Sequence, residues 1–105
     1  EVVNVGSAGS PFDGDERAAY GRFEFRNGCW HTRLVRLPYD RAATDRAFRD
    51  SGFIDEGGPL ARIIYEEWRR ADMLIRHWVQ AHQAAVLAGE IELQASVDDF
   101  LASID

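Results

Sequence analysis

The sequence predicts an α+β chain with its strands first and its helices after them, and three observations carry that reading. Ala19 to Phe25 and Cys29 to Leu37 have strand-like patterns on either side of Asn27-Gly28. From Leu60 to Leu87 the apolar positions advance by three or four residues. Asp55-Glu56-Gly57-Gly58-Pro59 marks a change of composition between the two, placing a boundary between residues 1–55 and 56–105.

Val2 to Val5 is a β-rich run ended by Gly6, and Ser-Ala-Gly-Ser-Pro and Asp13-Gly14-Asp15 after it are turn signals, so a short strand leading into a loop is expected. In the next strand Ala19, Gly21, Phe23 and Phe25 alternate with Tyr20, Arg22 and Glu24, a period of two that places one face on a core. Asn27-Gly28 suits a type I′ turn, whose two central residues both take positive φ, and the arms therefore form a hairpin. On the second arm Trp30, Thr32 and Leu34 share one face while His31 and Arg33 point away, and Pro38 ends it.

Asp40 is placed to cap a helix running to about Ser51, Gly52 stands at the left-handed position after it, and Phe53 and Ile54 are expected to fold back on Ala47 and Phe48. Leu60, Ile64, Trp68, Ala71, Ile75, Trp78, His82 and Ala85, widened by Ile63, Leu74 and Val79, form the broad apolar stripe of a packed helix. Asp72 is a candidate cap after a break, which leaves one kinked helix and two short ones both open. Gly89 closes the segment, and Ser96 with Asp99 has the spacing of a capping box before a last helix whose apolar face is Val97, Phe100, Leu101 and Ile104.

At 105 residues the chain is in single-domain range. A chain of this size buries roughly 65% of its unfolded surface on folding. The 46% hydrophobic and 29% charged fractions are ordinary for a globular protein, and no apolar run reaches the ~20 residues that cross a bilayer. A net charge of -6 argues against a nonspecific nucleic-acid surface. Cys29 is the only cysteine, which rules out an internal disulfide and a four-cysteine zinc site, and a reducing cytoplasm fits best. No secretory signal pattern opens the sequence.

Few motifs carry chemistry. Small residues let backbone amides approach an anion, but Gly6-Ser7-Ala8-Gly9-Ser10-Pro11 lacks the Gly-Lys-Ser/Thr ending of a nucleotide-binding loop and reads as a plain loop. Asp13-Gly14-Asp15-Glu16 has too few ligand positions for a calcium loop and reads as a solvated turn. His77 and His82 lie about 140° apart around a helix and cannot share a metal, and His31 has no ligand two residues away. Cys29 reads as a small packed hydrophobe, and Trp68 and Trp78, with Tyr65 and Met73, as core before partner surface.

The Asn4-to-Tyr20 string, Asn-Val-Gly-Ser-Ala-Gly-Ser-Pro-Phe-Asp-Gly-Asp-Glu-Arg-Ala-Ala-Tyr, resembles a segment near the carboxyl end of the calcineurin-like metallophosphoesterases that follows their final metal-binding histidines. Val35-Arg36-Leu37-Pro38-Tyr39-Asp40 and Ser51-Gly52-Phe53 extend the resemblance, which covers about Val3 to Ile54. The family often has arginine where this chain has Phe12.

The resemblance implies an α/β parent fold, an αββα sandwich of which this chain is the C-terminal part, so that the opening reads as the last stretch of a catalytic domain whose beginning is missing. It implies a phosphate-ester hydrolase using two divalent metal ions (Mn, Fe, Zn or Ni). The family's ligand motifs are Asp-x-His, Gly-Asp-x-x-Asp, Gly-Asn-His-Asp/Glu, a lone His and Gly-His-x-His; none occurs here, so no catalytic or metal residue is expected in this chain. Asn4, Gly6, Ser7, Gly9 and Asp13 would lie in a loop near the active site. The expected partners are the N-terminal catalytic half and a phosphate ester, with no membrane, and helices 56–105 would be an extension able to form a homodimer. The alternative from the residues alone is a non-catalytic interaction module that pairs through residues 60–87.

Overall fold

A computed structural model describes residues 1–105 and has the expected α+β order, a two-stranded hairpin and then helices. Strands β1 (Ala18–Arg26) and β2 (Cys29–Leu37) pair antiparallel, with Ala18 opposite Leu37 and Arg26 opposite Cys29. At the turn, Asn27 and Gly28 have φ of 52° and 76°, the positive pair that a type I′ turn needs. Phe25 and Trp30 sit directly opposite each other with ring centroids 5.3 Å apart.

The hairpin departs from expectation in what covers it. Ala19 is buried, but Phe23 is 52%, Phe25 60% and Trp30 67% exposed. A period of two tells which side chains share a face, whereas burial depends on another layer packing there, and residues 22–34 are exposed throughout. Cys29, beside the turn, is exposed too and is not a packed hydrophobe.

Val2 to Val5 is not a strand. A strand needs a neighbour for its amides and carbonyls, and β1 and β2 pair only with each other. The segment instead crosses the apolar face of the hairpin, with Val5 over Gly21. A Cβ at Gly21 would lie 2.5 Å from the Val5 Cγ1, so the missing side chain makes that approach possible.

Helix α1 (Arg41–Asp50) begins as expected: the Asp40 carboxylate accepts from the Ala43 amide at 3.0 Å. It ends before Gly52, whose φ of 81° reverses the chain and sets the Phe53 ring edge-on to Phe48 at 5.4 Å. Phe53–Glu56 is a single turn, α2, and Gly58 leads into α3 (Pro59–Arg70), with proline in the first turn, where its lack of an amide hydrogen costs nothing.

The long apolar stripe is divided. Ala71, at φ 52°, ends α3, and helix resumes as α4 (Ile75–Trp78), a π turn over Val79–Gln83, and α5 (Ala84–Leu87). Asp72 does not cap the new helix. The reversal at Ala71 brings the last turns of α3 beside the start of α4, and the buried Glu67 carboxylate accepts from the Ile75 amide at 2.8 Å.

After Gly89, at φ 74°, α6 (Leu93–Ser103) starts a turn earlier than the capping-box spacing implied. Ser96 is therefore inside the helix and fully buried. Its hydroxyl donates to the Leu93 carbonyl at 2.7 Å and accepts from the Trp78 indole at 3.2 Å.

Two clusters hold the helices together. Ile63, Leu74, Trp78, Val97 and Phe100 form a buried core among α3, α4 and α6. The second cluster sets Phe48 edge-on to Tyr65 and tilted against Trp68, at 5.5 and 5.1 Å, and fastens α1 to α3. The Tyr65 hydroxyl donates to Asp45 and accepts from Arg49 at 2.7 Å. Trp68 and Trp78 are each 4% exposed and belong to the chain's own core, whereas Ile64 and Val79 at the margins of the stripe are 41% and 40% exposed. No helix is long and apolar enough to cross a membrane.

Candidate functional site

The loop from Asn4 to Asp15 is built from short polar side chains that bond to nearby backbone. The Asn4 side-chain carbonyl accepts from the Gly6 amide at 2.9 Å, and the Ser7 hydroxyl oxygen accepts from Gly9 and Ser10 at 3.3 and 2.9 Å. These local bonds hold the chain in successive turns. Gly6 takes φ 86°, and a Cβ there would come 3.1 Å from the Ala19 Cβ, so a close approach to β1 and a left-handed backbone both favour glycine. The Ser7 carbonyl then accepts from the Ala19 amide at 2.9 Å, which fastens the loop to the first turn of the hairpin ladder.

The far end of the loop is held from two sides. The Gly14 amide donates to the Ala71 carbonyl at 2.9 Å, tying it to the end of α3. Arg41 stacks over Trp68 at 4.2 Å, donates to the Trp68 and Arg69 carbonyls at 3.2 Å and to the Glu16 carbonyl at 3.3 Å. One guanidinium thus joins the loop, the start of α1 and the end of α3, and it does so across the composition change at residues 55–59.

Between loop and hairpin lies an open cavity of about 590 Å³. Of the five loop residues expected near a site, Asn4, Gly6, Ser7 and Asp13 line it; Gly9 does not. Ser10, Pro11, Phe12, Leu34 and Arg36 complete the wall. Arg36, which the sequence reading passed over, is the only cation in that lining. It stands opposite Ala19 in the ladder, on the same face as Leu34, and its guanidinium donates to the Asp13 carboxylate. Asp15 is 3.9 Å from the Arg36 Nε and is itself held by both Nε and Nη2 of Arg17, at 2.9 and 2.6 Å.

These contacts set the carboxyl groups. Hydrogen bonding from Arg36 lowers the Asp13 carboxyl from its ordinary value of 3.8, and Arg17 does the same to Asp15. Asp45 is lowered by the Tyr65 hydroxyl and by Arg49, and Asp98 by Arg62. A carboxylate whose folded pKa is lowered adds stability above its unfolded value and loses it as pH falls through the folded value. The urea midpoint is therefore expected to be level from neutrality to about pH 5 and to fall below the ordinary carboxylate value; a midpoint that rises on acidification contradicts the assignment.

The remaining candidates are scattered. His31 and Cys29 are on the exposed ribbon, His77 is exposed, and His82 meets the Phe100 ring edge-on at 6.2 Å. No three His, Cys, Asp or Glu side chains converge as metal ligands. No family model, curated protein or solved structure matches this chain.

Proposed function

We propose that this chain is the C-terminal part of a calcineurin-like metallophosphoesterase, a hydrolase of phosphate esters. The observation that supports the reading is a juxtaposition. The loop carrying the family-like string walls a cavity, and beside it Phe23, Phe25, Trp30 and Leu34 share one apolar face of the hairpin that stays about half exposed or more, although Val5 crosses it at Gly21. Such a face, next to a polar cavity, is what the edge of a larger sandwich exposes when the other layer is taken away.

In this reading the parent enzyme would hold two divalent metals, whose chemistry would be to activate water and polarise the ester. The residues here do not fit a metal pair, since no ligand cluster forms and Asp13 and Asp15 are both engaged by arginines; the ligands are assigned to an N-terminal half on the family resemblance alone. This chain contributes the second wall of the site and the support behind it. The clamp of Arg41 on Trp68 and the bond from Gly14 to Ala71 hold that wall to the helices.

The test is to isolate the protein from its source, measure its intact mass, and assay an aryl phosphate and an aryl phosphodiester with Mn, Fe, Zn or Ni. The expected result is a mass above that of these 105 residues and hydrolysis that a chelator abolishes. Coding sequence upstream without Asp-x-His, Gly-Asn-His and Gly-His-x-His motifs, or a longer protein that is inactive with all four metals, overturns the reading.

A further inference from the structure

The loop cavity has the makings of an anion site in its own right. Its one cation, Arg36, is fixed: the side chain is 18% exposed and rises from a paired strand, while its partner Asp13 is 50% exposed and sits on the loop. Around it are neutral donors with hydrogens to spare. The Ser7 oxygen accepts two amides, which leaves its hydroxyl hydrogen free. Asn4 uses only its carbonyl, and the Ser10 hydroxyl has no partner in the fold.

The contact between Arg36 and Asp13 is the weak link. A solvent-exposed ion pair is worth about 0–1 kcal/mol, so an anion that meets a guanidinium with two oxygens and further donors with the others can displace the carboxylate. Asp15 also faces Arg36, 3.9 Å from its Nε, but Arg17 holds both Asp15 oxygens, so Asp13 is the carboxylate hydrogen-bonded to the guanidinium and the one an anion has to displace. At about 590 Å³ the cavity has the volume of a small-molecule site and leaves room for the organic part of an ester.

We propose that this cavity binds a tetrahedral oxyanion of the phosphate class, with Arg36 as the charged anchor, Ser7, Ser10 and Asn4 as neutral donors, and Asp13 as the resting occupant of the guanidinium. The proposal deepens the phosphoesterase reading, because it assigns the substrate's phosphate a contact on this chain, but the binding needs no metal and is tested without one.

The experiment titrates the 105-residue chain with inorganic phosphate at constant ionic strength, in the presence of a chelator, and follows the amides of Ser7 and Ser10 and the Arg36 Nε–H by NMR. Saturable shifts at all three are expected. Arg36→Gln should weaken binding at least about tenfold, the worth of one charge-assisted contact. Asp13→Asn should tighten it about threefold by removing the competitor. Since Asp13→Asn keeps the anchor, it decides the matter even if Arg36→Gln unfolds. Shifts that stay linear to tens of millimolar, shifts undiminished in a folded Arg36→Gln, or binding in Asp13→Asn no tighter than in the parent overturn the proposal. Saturable, Arg36-dependent binding alongside an inactive longer protein would keep this site and remove the enzyme; metal-dependent hydrolysis without such binding would do the reverse.

Discussion

Replacing Trp68 with alanine is expected to lower stability by about 3–5 kcal/mol, the range for deleting a buried aromatic. The cost has several sources that act at one place. The ring is 4% exposed between Phe48 and Tyr65, its indole donates to the Tyr39 hydroxyl at 3.0 Å, and its outer face carries the Arg41 guanidinium. Arg41 is also the link from α3 to the Glu16 carbonyl. Trp68→Ala should therefore loosen the candidate site as well as the helices. Hydrogen exchange at Gly14, whose amide reaches the Ala71 carbonyl, should accelerate by more than the global loss of stability accounts for. Trp68→Phe keeps a ring and removes the Tyr39 bond, and should cost about 1 kcal/mol from that bond with the Gly14 amide still protected. Unchanged exchange at Gly14 in the alanine variant would show that the loop is held independently of Trp68.

This arrangement gives the helices after residue 56 a part in the site that their sequence does not reveal. The loop contributes little hydrophobic burial of its own apart from Pro11, and surface ion pairs such as Asp13 with Arg36 are individually weak. Its position depends on backbone bonds at both ends, one to the hairpin and one to α3. The left-handed Ala71 is a residue of uncommon conformation at the second of these, and its carbonyl is the acceptor for Gly14. An α3 that ended one turn earlier would leave that amide to water.

What could be read in the sequence was what local chemistry decides. Asn27-Gly28 forces one turn type, Asp40 can bond a first-turn amide, and Gly52 accepts a backbone that other residues resist, so the hairpin, α1 and its end were all legible. Coverage was not. The alternation in β1 identifies the face shared by Phe23 and Phe25 without saying whether anything lies on it, and Val2 to Val5 has strand chemistry but no partner. The misread caps have one cause, a competitor that is remote in sequence: Glu67 reaches the Ile75 amide ahead of Asp72, and Trp78 draws Ser96 into the core. Arg36 was within reach. It lies two residues beyond Leu34, on the face already assigned to Trp30, Thr32 and Leu34, and the hairpin register set by Asn27-Gly28 puts it opposite Ala19, next to the loop.

Trp78 should be the other costly position, and it also tests whether a buried polar pair or apolar packing holds α6. Trp78→Ala removes the largest side chain of the Ile63, Leu74, Val97 and Phe100 core and is expected to cost about 3–5 kcal/mol by urea denaturation. Ser96→Ala is the more discriminating change, because it leaves the indole N–H buried with no acceptor, a loss of about 1–3 kcal/mol for a side chain that shrinks by one oxygen. In a Trp78→Phe background that donor no longer exists, and the Ser96 hydroxyl keeps only its bond to the Leu93 carbonyl, which α6 does not need for its ladder. Ser96→Ala should then cost much less, giving a coupling energy within the about 0.5–3 kcal/mol measured for residues in contact. Equal costs in the two backgrounds would mean that the indole finds water when Ser96 is gone, and that the hydroxyl adds nothing to the packing of Val97 and Phe100.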